Sequence, residues 1–301
     1  MPVLATEVVA LLDGRREILD GTLGGGGHSA LLLERGARVT ALDRDPEAIA
    51  AARARLETYE RAGRFRPVLG NFAAIDDIAA LAGARFDGIL LDLGVSSHQL
   101  DDPTRGFSFR EGAPLDMRMG AGVGAERTAA EFLGEADERE LARVFREWAD
   151  EPRAARLARE IARRRATRPF VTSDDLVGAI RGALGARTGP ADFARLFQAV
   201  RIAVNDELEG LARALPALRD RLGPGGVMAV IAYHSGEDRL VKHAFRAWST
   251  ACTCPPRQPV CTCGGRALGE TITRKAIVAT AEETAANPRA RSARLRAWRA
   301  R

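Results

Sequence analysis

The first hundred residues alternate short apolar, strand-like runs with helical patterns, and this alternation limits the possible folds more than any other feature of the chain. A helical pattern follows each of the first two runs, and the last run is apolar enough for a strand buried on both faces. Strands that alternate with helices in this way indicate an α/β protein with a doubly wound, mostly parallel sheet. The four strand-like runs are 17–21, 38–43, 65–70 and 86–94.

A long helical stretch interrupts the sheet pattern. From about residue 126 to residue 222 the periodicity is almost purely helical, and β-rich runs return at 223–235 and at 271–280. One α/β domain with an inserted α-helical domain is the simplest organisation, and we expect the insertion to recognise the substrate. The predicted bounds are 1–105 with 206–301 for the α/β domain, which binds the cofactor, and 106–205 for the insertion.

The turn after the first strand carries four consecutive glycines, in "DGTLGGGGHS" at 20–29. A backbone without side chains at the start of a helix lets a nucleotide-type ligand approach closely, and the lack of a lysine after the glycines argues against a P-loop. Asp43 ends the second strand about twenty residues later, where an open α/β sheet places a carboxylate on a ribose diol. Gly25, Gly27 and Ala30 also fit the G-x-G-x-x-A spacing, so a dinucleotide cofactor stays open.

Asp20 discriminates between these ligands, because it stands in front of the glycines. A carboxylate repels a pyrophosphate but attracts the ammonium group of a methionine moiety. S-adenosyl-L-methionine therefore fits the turn better than NAD, with Asp20 among its contacts. A glycine-rich turn that binds no ligand is the remaining alternative.

Further polar side chains follow the fourth and fifth predicted strands. Asp92 ends the fourth, and His234 and Ser235 follow the fifth, so all three belong to the edge where ligands of open α/β sheets bind. Asp92 stands where amino-group methyltransferases carry the acceptor motif (D/N)PP(Y/F), with Leu93 and Gly94 in place of the prolines. We predict that Asp92 accepts a hydrogen bond and then a proton from an acceptor amine, and that His234 and Ser235 orient the base or relay that proton. Asp92 as a cofactor contact alone is the alternative.

Arginine is unevenly distributed along a chain with a formal net charge of +5 and a pI of about 9.5. Seven arginines lie within 153–168, and six more lie within 289–301, which contains no acid. This excess suits a polyanionic partner such as RNA, although a solvated, arginine-rich helix surface has the same composition. The predicted phosphate-binding residues are Arg153, Arg156, Arg163, Arg164, Arg195, Arg289, Arg291 and Arg294.

All four cysteines lie between 252 and 263, in "CTCPPRQPVCTC". Such clustering in a reducing compartment argues against a disulfide framework. Two Cys-x-Cys pairs can enclose one structural zinc ion, but this spacing differs from the usual Cys-x2-4-Cys. A reduced, metal-free loop is therefore an equal alternative to a zinc site formed by Cys252, Cys254, Cys261 and Cys263.

Several classes of protein are disfavoured by the sequence. No apolar run reaches the roughly 20 residues that a membrane-spanning helix requires, and the first residues lack the basic start and cleavage site of a signal peptide. Hydrophobic residues make up 46% of the chain, which suits a globular protein with a buried core. We therefore expect a cytoplasmic protein.

Longer motifs resemble one family over nearly the whole chain. The segments "DGTLGGGGHS", "DGILLDLGVSSHQLDDPTRGFSF", "APLDMRM", "FQAVRIAVNDEL", "YHSGEDR" and "NPRARSARLR" follow one another in the order found in the RsmH (MraW) family. The resemblance implies an S-adenosylmethionine-dependent methyltransferase-type fold. It also implies methyl transfer to N4 of a cytidine in the decoding region of 16S ribosomal RNA, within the small ribosomal subunit. The cofactor contacts that it implies are Gly26, Gly27, His28, Asp43, Phe72, Asp92 and Gln99.

Some positions depart from the family pattern. Tyr233 replaces a usual phenylalanine, Gly236 replaces a usual leucine, and 189–195 lacks the usual His-Pro-Ala-Thr-Arg run. The changes at Gly236 and at 189–195 concern RNA docking rather than the chemistry. Two other functions stay open: an NAD-dependent α/β oxidoreductase, which leaves the arginines unexplained, and a non-catalytic RNA-binding assembly protein. A monomer and a homodimer are both compatible with the sequence.

Overall fold

The computed structural model describes residues 2–120, 127–252, 254, 258, 262 and 265–301. The chain splits into two compact units. We name residues 1–94 with 208–301 the sheet unit and residues 95–207 the helical unit. The first boundary lies earlier than predicted: residues 95–105 belong to the helical unit, because the chain leaves the sheet once the fourth strand has ended at Asp92.

Eight strands form one sheet in the part of the sheet unit that the structure describes. The strands are β1 (Glu17–Asp20), β2 (Arg38–Asp43), β3 (Phe65–Leu69), β4 (Phe86–Asp92), β5 (Leu222–Ala232), β6 (Gly269–Thr271), β7 (Ile277–Val278) and β8 (Arg294–Ala300). Their order is β3-β2-β1-β4-β5-β8-β6, and β7 also pairs with β8. Strands β1 to β5 are parallel, whereas β8 runs antiparallel to β5. The predicted mostly parallel sheet is confirmed.

Helices cover both faces of this sheet and build most of the helical unit. In chain order they are α1 (Ala5–Leu11), α2 (Gly27–Glu34), α3 (Pro46–Arg61), α4 (Ser97–Asp101), α5 (Ala129–Glu135), α6 (Glu138–Ala149), α7 (Ala154–Arg165), α8 (Ser173–Leu184), α9 (Pro190–Asn205), α10 (Glu207–Arg219), α11 (Ser235–Ser249) and α12 (Ala281–Ala286). One face of the sheet packs against α1, α2 and α3, and the other packs against α10 and α11. The sheet is therefore doubly wound, as predicted.

The start of α3 shows how local sequence sets an element. Asp45 precedes the helix, and its carboxylate accepts a hydrogen bond from the backbone N–H of Glu47 at 3.0 Å. Pro46 occupies the first turn, where its missing N–H loses no helical hydrogen bond. Because the N–H of Asp45 in turn donates to Asp43 at 2.9 Å, the cap also holds Asp43 at the end of β2.

The last strand, β8, is missing from the predicted elements. The sequence predicts one strand at 271–280 and a basic surface segment at 289–301, whereas the structure has the short strands β6 and β7 and then β8. Three arginines interrupt the apolar residues of β8 and hide its strand pattern. One of them, Arg296, is buried, because it donates two hydrogen bonds to Asp238 of α11 at 2.7 and 3.1 Å.

The helical unit has its own core, in which α5 to α9 pack around buried side chains such as Phe132, Phe145 and Leu157. Caps fix where its helices begin: at α5, Thr128 and Glu131 form a reciprocal capping box. Throughout the described ranges of both units, no helix is long and apolar enough to cross a membrane.

Candidate active site

The glycine turn between β1 and α2 is pinned to the neighbouring strand. The backbone N–H of Gly24 donates to Oδ2 of Asp43 at 2.8 Å. Gly26 adopts φ +71°, and a Cβ there would lie 3.2 Å from Cδ1 of Leu56 in α3. Position 26 therefore requires glycine, because its backbone is left-handed and because a side chain would press against Leu56.

Helix α2 begins directly at this turn, with Gly27 as its first residue. The first N–H groups of a helix have no partner within the helix, and they form the positive end of its dipole. Such a helix start is suited to hold an anionic group, for example a carboxylate. A Cβ at Gly27 would lie 3.3 Å from Pro2, so the N-terminal segment packs against the same turn.

Asp43, the predicted ribose-binding residue, is half-buried at the carboxyl end of β2. Its oxygens accept the N–H groups of Asp45 and Gly24 at 2.9 and 2.8 Å. Burial raises the pKa of Asp43 to about 6; the two N–H groups oppose this shift, and the carboxylates of Asp45 and Asp20 add to it. Each carboxylate oxygen keeps a lone pair, so deprotonated Asp43 can still accept the hydroxyl groups of a ribose.

Asp20 lies inside the turn rather than on its surface. It is 1% exposed, and its oxygens accept the hydroxyl of Ser29 at 2.7 Å and the N–H of Thr22 at 3.2 Å. Burial raises the pKa of Asp20, against the opposing effects of Ser29, His28 and Thr22. The expectation that Asp20 faces the ammonium group of a cofactor is therefore not supported, and its contacts make it a brace between β1 and α2.

Asp92 joins three elements at the carboxyl end of β4. Its backbone N–H donates to Oγ1 of Thr22 in the glycine turn at 2.6 Å. Its Oδ1 accepts the hydroxyl of Tyr233, which follows β5, at 2.8 Å. Its Oδ2 lies 3.4 Å from Nε2 of His28 in α2. We name Asp92, His28 and Tyr233 the Asp92 cluster; the Asp92 side chain is 24% exposed, so a ligand can reach it.

His28 is the buried basic member of the cluster. Burial lowers the pKa of His28, but its contact with Asp92 and the charges of Asp92, Asp20 and Glu283 outweigh this effect and raise the pKa above its ordinary value. Among the residues that the structure describes, neither ring nitrogen has a hydrogen-bond partner with ordinary geometry. The ring therefore offers unsatisfied polar atoms beside the glycine turn, as a ligand-binding residue would.

Sequence reasoning missed the contact that Tyr233 makes. The parallel register of β4 and β5 pairs Asp92 with Ile231, so the chain brings Tyr233 to the same edge of the sheet. Burial and the charge of Asp92 raise the pKa of Tyr233, so its hydroxyl stays protonated and donates. Tyr233 could have been found from the sequence, because β4 and β5 end at the same edge of the sheet and the residues that follow them lie side by side.

His234 and Ser235, the predicted relay residues, lie at the start of α11. The ring of His234 turns back onto this helix: Nδ1 accepts the N–H of Glu237 at 3.4 Å, and Nε2 lies 3.2 Å from Oε1 of Glu237. Ser235 is exposed. This geometry gives His234 the role of a helix cap and does not support a proton relay through it.

Phe72 and Gln99, two further predicted cofactor contacts, lie in different units. Phe72 is the half-buried first residue of a 3₁₀-helix, Phe72–Asp77, and a Cβ at Gly21 would lie 3.6 Å from its Cβ. Gln99 is buried in the helical unit, where its Nε2 donates to the carbonyl of Met119 at 3.0 Å and its Oε1 accepts the N–H of Ser96 at 3.0 Å. Phe72 is thus placed next to the glycine turn, and Gln99 supports a loop of its own unit.

Three motifs of the helical unit converge on that loop, at 115–120. Asn205 donates to the carbonyl of Met117 at 2.7 Å and accepts the N–H of Met119 at 2.8 Å, and Gln99 donates to the same residue. Met117 has φ +61°, a left-handed backbone that costs a non-glycine residue about 1–3 kcal/mol. The hydrogen bonds from Asn205 and Gln99 hold this loop and link the segments "APLDMRM", "VNDEL" and "SSHQLDD" in the fold.

Two predicted phosphate-binding arginines make internal contacts in the helical unit. Arg195 donates to Oε2 of buried Glu151 at 2.7 Å and to the carbonyl of Ala149. Arg153 donates to the carbonyl of Leu184 at 2.9 Å, but its side chain is 52% exposed, so it stays a candidate for phosphate binding. A buried carboxylate without its cation is strongly destabilising, so the contact with Glu151 gives Arg195 a structural role in place of the predicted one.

Arg164 lies on the glycine face of α8. Its Nε donates to Oε1 of Glu160 at 2.7 Å, and Cβ atoms at Gly178 and Gly182 would lie 2.9 and 2.8 Å from its guanidinium. The two glycines thus make room for Arg164, which packs α7 against α8 instead of facing a phosphate. Arg163 also donates to Glu160, at 2.8 Å, but stays exposed.

The remaining predicted phosphate-binding residues are exposed in the structure. Arg294 lies 3.7 Å from Oδ2 of Asp238. A guanidinium on the surface is accessible to a phosphate, so these residues stay candidates. They are Arg156, Arg289, Arg291 and Arg294.

Two of the four predicted zinc ligands, Cys261 and Cys263, lie outside the described residues. Cys252 is exposed, and Sγ of Cys254 lies 4.0 Å from Oγ1 of Thr262. No group of three or more metal-ligating side chains occurs among the residues that are described. The zinc site stays a prediction, which metal analysis of protein purified without a chelator tests.

The fold and the site together define a class of enzyme. A parallel sheet with a glycine turn before its first crossover helix, and with carboxylates at the ends of β2 and β4, characterises the S-adenosylmethionine-dependent methyltransferases. The residues present fit this cofactor: Asp43 offers a carboxylate to a ribose, and the buried ring nitrogens of His28 lack a hydrogen-bond partner of ordinary geometry among the described residues. The model of the MraW methylase family matches residues 1–301, and the chain belongs to that family.

Two close relatives of this chain have the same name. A ribosomal RNA small subunit methyltransferase H from Gemmatimonas aurantiaca is 66% identical over 299 residues, which cover 99% of this chain and 94% of that protein. A protein of the same name from Anaeromyxobacter sp. (strain K) is 52% identical over 302 residues, which cover 98% of this chain and 96% of that protein. A solved rRNA methylase from Streptococcus thermophilus aligns with a TM-score of 0.42 and 10% identity, over 98% of this chain and 93% of that one. The sequence matches alone carry the family assignment.

Proposed function

We propose that this protein transfers a methyl group from S-adenosylmethionine to N4 of a cytidine in the decoding region of 16S ribosomal RNA, in the cytoplasm. The observation that carries the proposal is the contact of Asp92 with the glycine turn, where its N–H lies 2.6 Å from Oγ1 of Thr22. A partly exposed carboxylate thereby lies next to the turn that would bind the cofactor. Membership of the MraW methylase family, whose relatives are named for ribosomal RNA of the small subunit, supports the choice of substrate.

The glycine turn and the end of β2 would hold the cofactor. The N–H groups at the start of α2 would bind its carboxylate, and deprotonated Asp43 would accept its ribose hydroxyls. When bound, the cofactor supplies a methyl group on a sulfonium, which is already activated for transfer. The task left to the chain is to align the acceptor amine and to receive its proton.

Asp92 would carry out this task. The exocyclic amine of cytosine is a poor nucleophile, because its lone pair is delocalised into the ring. A hydrogen bond from N4–H to Asp92 strengthens as positive charge develops on the nitrogen. Once the N–C bond has formed and the S–C bond has broken, the nitrogen carries an extra proton, which the carboxylate takes. Each oxygen of Asp92 has two lone pairs, so the contacts with Tyr233 and His28 leave acceptor positions for the amine.

The helical unit and the exposed arginines would bind the RNA, and we propose the small ribosomal subunit as the substrate assembly. A cytosine that is stacked or paired must leave its neighbours before its amine can reach a methyl donor. Exposed guanidinium groups such as those of Arg156 and Arg291 would bind phosphates and position the strand. Sequence selection would then depend on contacts to the extruded base.

Methyl transfer from labelled cofactor to small ribosomal subunits tests this function. We expect the label at N4 of one cytidine of the decoding region, with free 16S ribosomal RNA as the matched second substrate. Label on another nucleotide, or no label on either substrate, would overturn the proposal. Thermal unfolding separates the alternative functions, because S-adenosylhomocysteine raises the melting temperature of a methyltransferase and NAD that of an oxidoreductase.

A further inference from the structure

Tyr233 is held from two sides within the Asp92 cluster. The backbone N–H of Tyr233 donates to Oε2 of Glu237 at 2.8 Å. Its ring lies beside Gly94, where a Cβ would be 3.6 Å from Cδ2 of the ring. These contacts hold the backbone and the ring, and they place the hydroxyl 2.8 Å from Oδ1 of Asp92.

The hydroxyl is the donor in this contact. Burial, together with the charges of Asp92, Glu237 and Glu283, raises the pKa of Tyr233. The phenol therefore keeps its proton over the range in which Asp92 acts as an acceptor. A hydrogen bond to a carboxylate stabilises its charge and restrains its rotation.

We propose that Tyr233 is a positioning residue, whose hydroxyl orients the Asp92 carboxylate toward the acceptor amine. The role rests on the proposed function, in which Asp92 receives the proton of the amine. Tyr233 holds Oδ1, His28 faces Oδ2 at 3.4 Å, and Thr22 holds the backbone N–H at 2.6 Å. Asp92 is thus held by hydrogen bonds at Oδ1 and at its backbone nitrogen and faces the His28 ring at Oδ2, while its side chain stays 24% exposed.

Charged groups reach the cluster from each adjoining element. The charge of Asp92 acts on Asp20 at the end of β1 and on His28 in α2, Glu237 in α11 acts on Tyr233, and Glu283 in α12 acts on both Tyr233 and His28. Replacement of Tyr233 by phenylalanine leaves all these groups in place and removes one donor to Asp92. The carboxylate then loses the contact that restrains Oδ1, while the hydrogen bond between its backbone N–H and Thr22 remains.

The variant Tyr233→Phe tests this role, since it keeps the ring. We expect kcat on ribosomal subunits to fall by up to about tenfold while the cofactor Kd stays unchanged, because the variant loses one donor to Asp92 but has the phenylalanine that is usual in the family. The control is Tyr59→Phe at the other tyrosine of the chain, whose ring lies 5.3 Å from the guanidinium of Arg64. In an Asp92→Asn background, Tyr233→Phe should have little further effect, because the hydroxyl acts through the carboxylate. An unchanged kcat, or a cofactor Kd that weakens as much as kcat falls, would overturn the role.

A second readout requires no turnover. The carbon-13 NMR signal of the Asp92 carboxylate, recorded at one neutral pH, is expected to differ in chemical shift between the wild type and Tyr233→Phe, because the hydroxyl no longer donates to Oδ1. Identical chemical shifts in the two proteins would refute the role of Tyr233 and leave the proposed function intact. Absence of methyl transfer by the wild type would instead refute the proposed function.

Discussion

Arg296 of β8 donates two hydrogen bonds to Asp238 of α11, at 2.7 and 3.1 Å, and both side chains are buried. The planar guanidinium donates one hydrogen bond to each oxygen of the carboxylate, and this bidentate geometry strengthens such pairs. The pair ties the last strand of the sheet to the helix that follows β5. It also explains why Arg296 is buried while the other two arginines of β8, Arg294 and Arg299, are exposed.

Loss of this pair should destabilise the protein strongly. Asp238→Ala leaves the guanidinium of Arg296 buried without its anion, which costs about 3–5 kcal/mol of unfolding free energy. Urea unfolding followed by circular dichroism measures the change. The matched control is Glu270→Ala, which removes an exposed ion pair with Arg299 at 3.1 Å and should cost less than about 1 kcal/mol. Equal losses of unfolding free energy in the two variants would show that the buried pair contributes no more to stability than the exposed one.

The parts of the site that depend on neighbouring residues could be predicted from the sequence. The glycine turn, Asp43 and the cap at Asp45 lie within one β-α-β segment, where spacing along the chain determines position in space. Asp92 could be placed for a similar reason, because it ends an apolar strand of the same sheet. The residues that contact them, such as Tyr233 beside Asp92, are determined by the order of the strands in the sheet.

Contacts between distant residues could not be predicted in this way. From the sequence alone Arg296 is expected to be exposed, because its partner Asp238 lies 58 positions away and the pairing cannot be seen. Arg195 is similar, since Glu151 lies 44 positions away. His234 has the residue type of a proton relay, but histidine can also cap a helix, and only the orientation of its ring distinguishes the two.

Cofactor affinity should depend on the protonation of Asp43. Burial raises the pKa of Asp43 to about 6, and only the deprotonated carboxylate accepts hydroxyl groups with both oxygens. The Kd for S-adenosylhomocysteine should therefore be constant above about pH 7 and rise by up to about tenfold per pH unit below about pH 6. Calorimetric titrations between about pH 5 and pH 8 measure it. Asp43→Asn should bind more weakly and lose this dependence; a dependence that persists in the variant would assign the titration to His28.

RNA binding should involve the exposed arginines and not the internally paired ones. Removal of Arg156 and Arg291 in one double variant should weaken binding to ribosomal subunits. It should also lower the slope of log K against log salt by about 0.7–0.9 for each phosphate that is no longer neutralised. Cofactor affinity should stay the same. Arg38→Ala is the control, since Arg38 is exposed at the start of β2, at the opposite edge of the sheet from Asp43. An unchanged salt slope in the double variant would make these arginines ordinary surface.

Asp92→Asn isolates the chemistry from cofactor binding. Asparagine keeps the size of the side chain and one acceptor oxygen, but it cannot take the proton that the amine releases. We expect kcat to fall about 10²- to 10⁴-fold, the usual range for a positioned acid or base, while the Kd for S-adenosylhomocysteine changes far less. Single-turnover methyl transfer at saturating cofactor measures the step directly. The control is Asp87→Asn near the other end of β4, where the carboxylate accepts the N–H groups of Arg16 and Glu17; its kcat should match the wild type. If Asp92→Asn bound the cofactor poorly but turned over normally at saturation, Asp92 would be a cofactor contact, and the proton of the amine would leave by another route.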